Sequence, residues 1–206
     1  LLLTFRWLLP LSYVVSSAMG PYLPTAMKSL GLSETAGTQL AATWLVARCL
    51  TFGTLGKWHA WHGRWAMPVV GILLLFGGFA AVVLGPLLLP GLGETAGRIV
   101  LAGGLTLFGV GMATIYTGAI YYAMEVGSAE VDAGGMHETL IGVGYTLGPL
   151  CGLLASAGVE QGLIPGTSIE LPMLAIVTLI GLVVGGLTLS RVRKLAGRET
   201  ESGASH

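Results

Sequence analysis

Apolar residues gather into six runs along this chain, at roughly 7–24, 36–56, 66–88, 98–124, 137–158 and 170–190, with short polar stretches between them. Each run holds about 18 residues or more, the length at which a helix crosses a hydrocarbon core of about 30 Å. A segment in lipid must satisfy its own backbone hydrogen bonds, so the pattern predicts six helices. The links carry turn chemistry. Lys28–Ser33 is polar, contains Gly31, and offers Ser33 as N-cap of the second helix. Pro86, Pro90, Gly91 and Gly93 break the chain after the third run, and Gly162, Pro165 and Gly166 separate the fifth from the sixth. Glu-Thr-Ala-Gly opens a helix twice, at 34–37 and 94–97. An acid near the positive end of a helix dipole accounts for the repeat without any duplication.

Composition agrees with a lipid solvent. The chain is 53% apolar and only 10% charged, with a mean hydropathy of +0.80, whereas a soluble domain carries about 25% charged residues. A soluble chain so poor in charge would expose large apolar patches. The lipid bilayer is therefore the first expected partner. The formal net charge is zero, which gives no polybasic argument, and no nucleic acid is expected. Glycine reaches 33 of 206 residues, a composition that suits close helix–helix approach in membranes. Cys49 and Cys151 fall inside apolar runs and read as small buried packing residues rather than a disulfide. The first run lacks the basic leader and small-residue cleavage site of a signal peptide. The chain begins Leu1-Leu2-Leu3 rather than with Met and reads as a piece of a longer protein.

Basic residues predict an orientation. With the N-terminus in the cytoplasm, Arg6, Lys57, Arg64, Arg191, Arg193, Lys194 and Arg198 lie inside, Lys28 and Arg98 lie outside, and Arg48 falls within a helix. The positive-inside rule then puts both ends in the cytoplasm. The tail, 191–206, is basic and then polar, and is expected to be solvated and disordered.

Two stretches carry more specific patterns. The loop after the second run contains Gly56, Gly63 and Arg64, with Ala60 between them and Trp65 following. It resembles the cytoplasmic signature loop of the major facilitator superfamily, G-x-x-x-D-x-x-G-R-(K/R). Ala60 stands at the acid position and Trp65 at the final basic one. The fifth run contains Gly144, Gly148, Pro149 and Gly152, with Ser156 beyond. Residues four apart are helix neighbours, so this stripe is expected to pack closely against another helix, with Pro149 adding a bend. It resembles the family's G-x-x-x-G-P-x-x-G-G motif, with Leu153 in place of the last glycine. Taken alone, it is equally a generic small-residue seam. Together the two stretches resemble the C-terminal six-helix half of a facilitator transporter. The resemblance implies an all-α membrane fold, helices 7 to 12 of a twelve-helix protein, two inverted three-helix repeats and a missing N-terminal half as partner.

Charges at depth are the candidate chemistry. Arg48 lies eight residues before Gly56, about 12 Å from that helix end at ~1.5 Å per residue. A buried Arg on a spanning helix costs at least ~2.5 kcal/mol unless it pairs or snorkels. Pairing or cavity exposure is favoured over a snorkel. Glu125, Asp132 and Glu138 are acids on the same side, although Glu138 also suits a helix start. By resemblance, Arg48, Arg64, Glu125 and Glu138 are candidates for a cytoplasmic gate. His137, beside Glu138, reads as an interfacial hydrogen-bonding residue more readily than as a proton carrier. His59 and His62 lack neighbouring ligands, so no metal is expected.

A substrate path is expected among polar and aromatic residues at mid-depth: Tyr13 and Ser17 in the first run, Thr43 and Trp44 in the second, Tyr116, Thr117 and Tyr121 in the fourth, and Tyr145 in the fifth. The resemblance implies that these four helices line the cavity. The third and sixth runs offer mainly aliphatics and glycine, which suits a lipid-facing place. The expected function is secondary transport of a small-molecule substrate by alternating access across an inner membrane, with no cofactor and no enzymatic activity. No nucleotide-binding loop is evident, so an ion gradient, H+ or Na+, would drive active transport; uniport stays open. A non-transporting membrane scaffold or sensor is the main rival. An intramembrane enzyme is disfavoured, because no nucleophile-elbow or zincin motif occurs.

Overall fold

The computed structural model describes residues 1–88, 93–126, 131–163 and 168–203. Six helices follow one another: α1 Leu2–Ser29, α2 Glu34–Lys57, α3 Ala66–Leu88, α4 Gly93–Val126, α5 Val131–Glu160 and α6 Glu170–Gly203. A single 3-10 turn, His59–Trp61, lies between α2 and α3, and no strand occurs among the described residues. Each apolar run thus becomes one helix. Ser33 caps α2 as expected, its side chain accepting the Ala36 N–H at 3.3 Å. Pro90, Gly91, Pro165 and Gly166, expected as breaks, lie outside the described residues. Asp132 begins α5 rather than standing in a loop.

One expectation is met in part and two need correction. Five helices, α1, α3, α4, α5 and α6, are long and apolar enough to cross a membrane; α2 is not among them. Gln39, Thr43, Arg48 and Thr51 interrupt its apolar stretch. The backbone after Ser190 continues α6 to Gly203 instead of ending in a disordered tail. Leu, Ala, Arg, Lys and Glu between 191 and 201 are all good helix formers and prolong a helix already nucleated. Cys49 is exposed on α2, while Cys151 is buried as expected.

Helices α1 and α4 form the centre. Phe5, Leu8, Leu9 and Val15 of α1 are fully buried together with Leu105, Phe108, Met112 and Ile115 of α4. The two run antiparallel: Phe5 stacks on Tyr122 at one end, and Leu30 meets Gly97 at the other. Helix α5 lies along α1, and α2 lies along α4. Both pairs run parallel, since Pro10 and Tyr13 meet Gly144 while Ser17 meets Gly148, and Trp44 meets Gly109 while Phe52 meets Tyr116.

Glycine makes these approaches possible. Gly71, Gly78 and Gly85 of α3 face Gly111, Gly104 and Val100 of α4 in antiparallel register. The seven-residue spacing keeps one face toward the partner over two full heptads. A Cβ at Gly78 would strike the Phe108 backbone, and one at Gly111 the Leu75 backbone. The α3–α4 seam is therefore a backbone-to-backbone contact. Helix α3 was expected to be a lipid-facing support. It does expose Leu73, Val69 and Val70, but its other face is built into the core.

The α1–α5 seam also uses small residues, on a different path from the one expected. Gly144 and Gly148 abut α1. Gly152 meets nothing within 4 Å, and Ser156 donates to Glu160 Oε1 at 3.1 Å within its own helix. Burial continues instead through Cys151 and Ala155. A four-residue step overshoots the 3.6-residue turn, so a strict stripe of fours drifts off the interface, whereas alternating fours and threes stays on it. Pro149 is exposed, and α5 runs through it.

Candidate functional site

One end of the bundle is closed by an aromatic cluster. It brings together the start of α1, the loop after α2 and the end of α4. Trp61 is 2% exposed and donates its indole N–H to Leu55 O at 3.0 Å. It meets Tyr121 edge-on with 5.1 Å between centroids, and His62 stacks on the same Tyr121 at 3.9 Å. Gly63 has a φ of 73°, a left-handed conformation that suits glycine. Its N–H donates to the Tyr122 hydroxyl at 2.8 Å. Of the signature-loop residues, Gly63 thus has a clear backbone role. Gly56 lines a cavity with open space at its Cα, and Arg64 is exposed.

Arg48 lies deeper. Its guanidinium donates to the Tyr13 hydroxyl at 3.3 Å. The rings of Phe52 and Tyr116 lie against it, with centroids 5.3 and 5.2 Å from Cζ. Tyr13 in turn packs on Tyr145 at 5.0 Å, and Tyr116 meets His137 edge-on at 5.2 Å. Side chains of α1, α2 and α4 therefore converge on one arginine, and α5 backs them through Tyr145 and His137. Among the described residues, five buried side-chain N or O atoms lack a partner, and Arg48 Nε, Thr117 Oγ1 and His137 Nε2 are three of them. All three belong to Tyr116, its ring contacts or its chain neighbour. A cavity of about 450 Å3 adjoins the cluster, sharing Phe52, Tyr116 and Thr117 as walls and continuing past Leu55, Ile120 and Met124.

The other substrate-path candidates divide. Tyr121 serves both the loop cluster and the cavity wall. Trp44 packs edge-on against Phe108 at 5.9 Å, where Gly109 admits its backbone. Thr43 bonds back to Leu40 O at 2.7 Å within α2. Ser17 sits in the α1–α5 seam, where its hydroxyl lies 2.6 Å from Tyr13 O and 3.0 Å from Gly144 O. Trp44 and Ser17 thus join helices rather than form the cluster.

No salt bridge joins Arg48, Arg64, Glu125 and Glu138; among the described residues the one salt bridge is Arg98 to Glu94, 2.8 Å, at the opposite end. Glu125 and Glu138 are exposed. Arg98 also reaches the carbonyls of Leu30 and Gly31, clasping the turn after α1. No group of three or more His, Cys, Asp or Glu suited to a metal occurs among the described residues.

Sequence reasoning missed Phe52 and Trp61. Phe52 is four residues after Arg48, and this helical spacing could have flagged it. Trp61 carries no such signal, because nothing local shows that a loop tryptophan turns inward.

No family model, curated protein or solved structure matches this chain. The class is accordingly set by the fold alone: an all-helical protein with five helices long and apolar enough to cross a membrane, as fits a multi-pass membrane protein.

Proposed function

We propose that the chain is a six-helix half of a major facilitator transporter, moving a small solute by alternating access across a cell membrane. The observation that carries this reading is the cluster around Arg48, to which α1, α2 and α4 contribute directly and α5 through Tyr145 and His137. These four helices correspond to the cavity-lining ones that the loop and fifth-helix motifs imply. A second observation supports it. α1 lies along α5 as α4 lies along α2, and α1 opposes α4 in direction. Inverted three-helix repeats generate this exchange of partners. In this reading all six helices span. α2, too polar for a lipid-facing span, faces a second half and the water-filled path between the halves. Arg6, Lys57 and Arg64 then mark the cytoplasmic end. Arg48, Arg64, Glu125 and Glu138 act as a gate whose ion pairs are made in another state of the cycle.

Solute uptake by the full-length gene product in proteoliposomes tests the proposal. Arg48→Ala and Glu138→Gln are expected to lower uptake while leaving membrane insertion intact. Wild-type uptake rates in both variants would remove the gate. Failure of the wild-type protein to move any solute in a broad screen would count against transport itself.

A further inference from the structure

We infer that the Arg48 cluster recognises an organic monoanion, a carboxylate carried on an apolar body; its role as a transport substrate rests on the function proposed above, but its binding does not. Arginine stays charged and presents five N–H donors in a planar fork that matches a carboxylate. In this chain the described partners use little of that fork. One bond goes to Tyr13, Nε is buried without an acceptor, and no described carboxylate lies within salt-bridge distance. Phe52 and Tyr116 hold the guanidinium through their ring faces. They fix its plane and leave its edge donors available.

The surroundings define the rest of the ligand. The Tyr13 hydroxyl is the described hydrogen-bond partner of Arg48, no described acid pairs with it, and Thr117 Oγ1 and His137 Nε2 next to and against Tyr116 are unpartnered. A single fixed positive charge matches a monoanion better than a dianion and repels a cation. The adjoining cavity, about 450 Å3, is of a size that holds a small molecule. Phe52, Leu55, Trp61, Ile120 and Met124 make most of its lining apolar, beside the polar edges of His59, His62 and Tyr121, which suits an aliphatic or aromatic body with one polar end.

Calorimetric titration of the purified full-length protein with phenylacetate, phenylacetamide, phenethylammonium and acetate tests this. Phenylacetate is expected to bind. The neutral amide and the cation should bind at least roughly tenfold more weakly, the loss expected for one charge-assisted hydrogen bond. Acetate should bind more weakly because it leaves the cavity unfilled. Arg48→Gln should abolish phenylacetate binding, Arg48→Lys should retain part of it, and Phe52→Ala should weaken phenylacetate but not acetate. The inference is overturned if wild type does not bind phenylacetate or binds the amide equally well. It is also overturned if Arg48→Gln, with unchanged circular dichroism, binds like wild type. Binding without uptake upholds the site and counts against transport. Uptake of another solute by a wild-type protein that does not bind phenylacetate upholds transport and removes the site.

Discussion

The α3–α4 seam and the Arg48 cluster lie on opposite faces of α4 and handle the same low-dielectric solvent in opposite ways. In the seam, glycines at 71, 78, 104 and 111 bring two backbones together, and no polar side chain is needed. Around Arg48, aromatic side chains from several helices meet, and Arg48, Thr117 and His137 each leave a polar atom unpartnered. A packed interface with nothing left to satisfy is complete in itself. A buried polar group without a partner costs on the order of 1–3 kcal/mol, and a charged one more. In the proposed reading one face serves stability and the other binding. Exposed apolar residues on α3, α5 and α6 do not disturb it, since lipid is an adequate solvent for them.

The largest expected effect tests the seam. Gly78→Leu drives a side chain into the Phe108 backbone, which has no flexible end to give way. A loss of about 3 kcal/mol or more is expected, at or beyond the usual cost of overpacking. Thermal unfolding in detergent should show a clear drop or no folded protein. Gly77→Leu, one residue away with nothing within 4 Å of its Cβ position, should shift stability by only about 0.5 kcal/mol. Equal behaviour of the two variants would break the assignment of stability to this seam.

The second test concerns the other face. Arg48→Met removes a partly buried charge while keeping an apolar stem. The variant is expected to be as stable as wild type or more stable by ~1 kcal/mol, since replacing an imperfectly compensated charge with an apolar side chain is often neutral or stabilising. The same variant should lose solute binding. A clear drop in melting temperature would instead make Arg48 part of the framework and erase the contrast between the two faces.

Much of this was legible along the chain because period and solvent act locally. Six apolar runs become six helices, and Ser33 caps α2. Arg48 was readable as a charge needing company, but its company was not. Tyr13 lies 35 residues away, and the gate acids expected nearby remain exposed. An arginine held by rings and a single hydroxyl leaves no complementary charge in the sequence to search for. The heptad of glycines was hidden for another reason: with 33 glycines, several spacings fit, and only the facing helix selects one. The α5 stripe failed by geometry, since 144 and 148 touch α1 while 152 has already rotated away. Composition pointed to a membrane, and five helices are long and apolar enough to cross one; α2 is not, because Gln39, Thr43, Arg48 and Thr51 interrupt its apolar stretch.

Ser17 offers the smallest effect and the finest test of the comparison. It is a polar residue inside a packed seam, donating toward Tyr13 O in its own helix and standing 3.0 Å from Gly144 O across the interface. Gly148 leaves room for it, because a Cβ there would collide with Ser17 Oγ. In Ser17→Ala the interhelical bond is lost but the fit is kept. The expected cost is about 0.6 kcal/mol, the typical value for a hydrogen bond between membrane helices. Gly144 O stays bonded within α5, so no group is orphaned by the change. Solute binding should be unaffected, since Ser17 does not touch Arg48. A melting-temperature change of several degrees, or a loss of binding at unchanged stability, would show that the α1–α5 seam belongs to the binding face after all. The division between the two faces would then have to be drawn along α1, through Tyr13, rather than along α4.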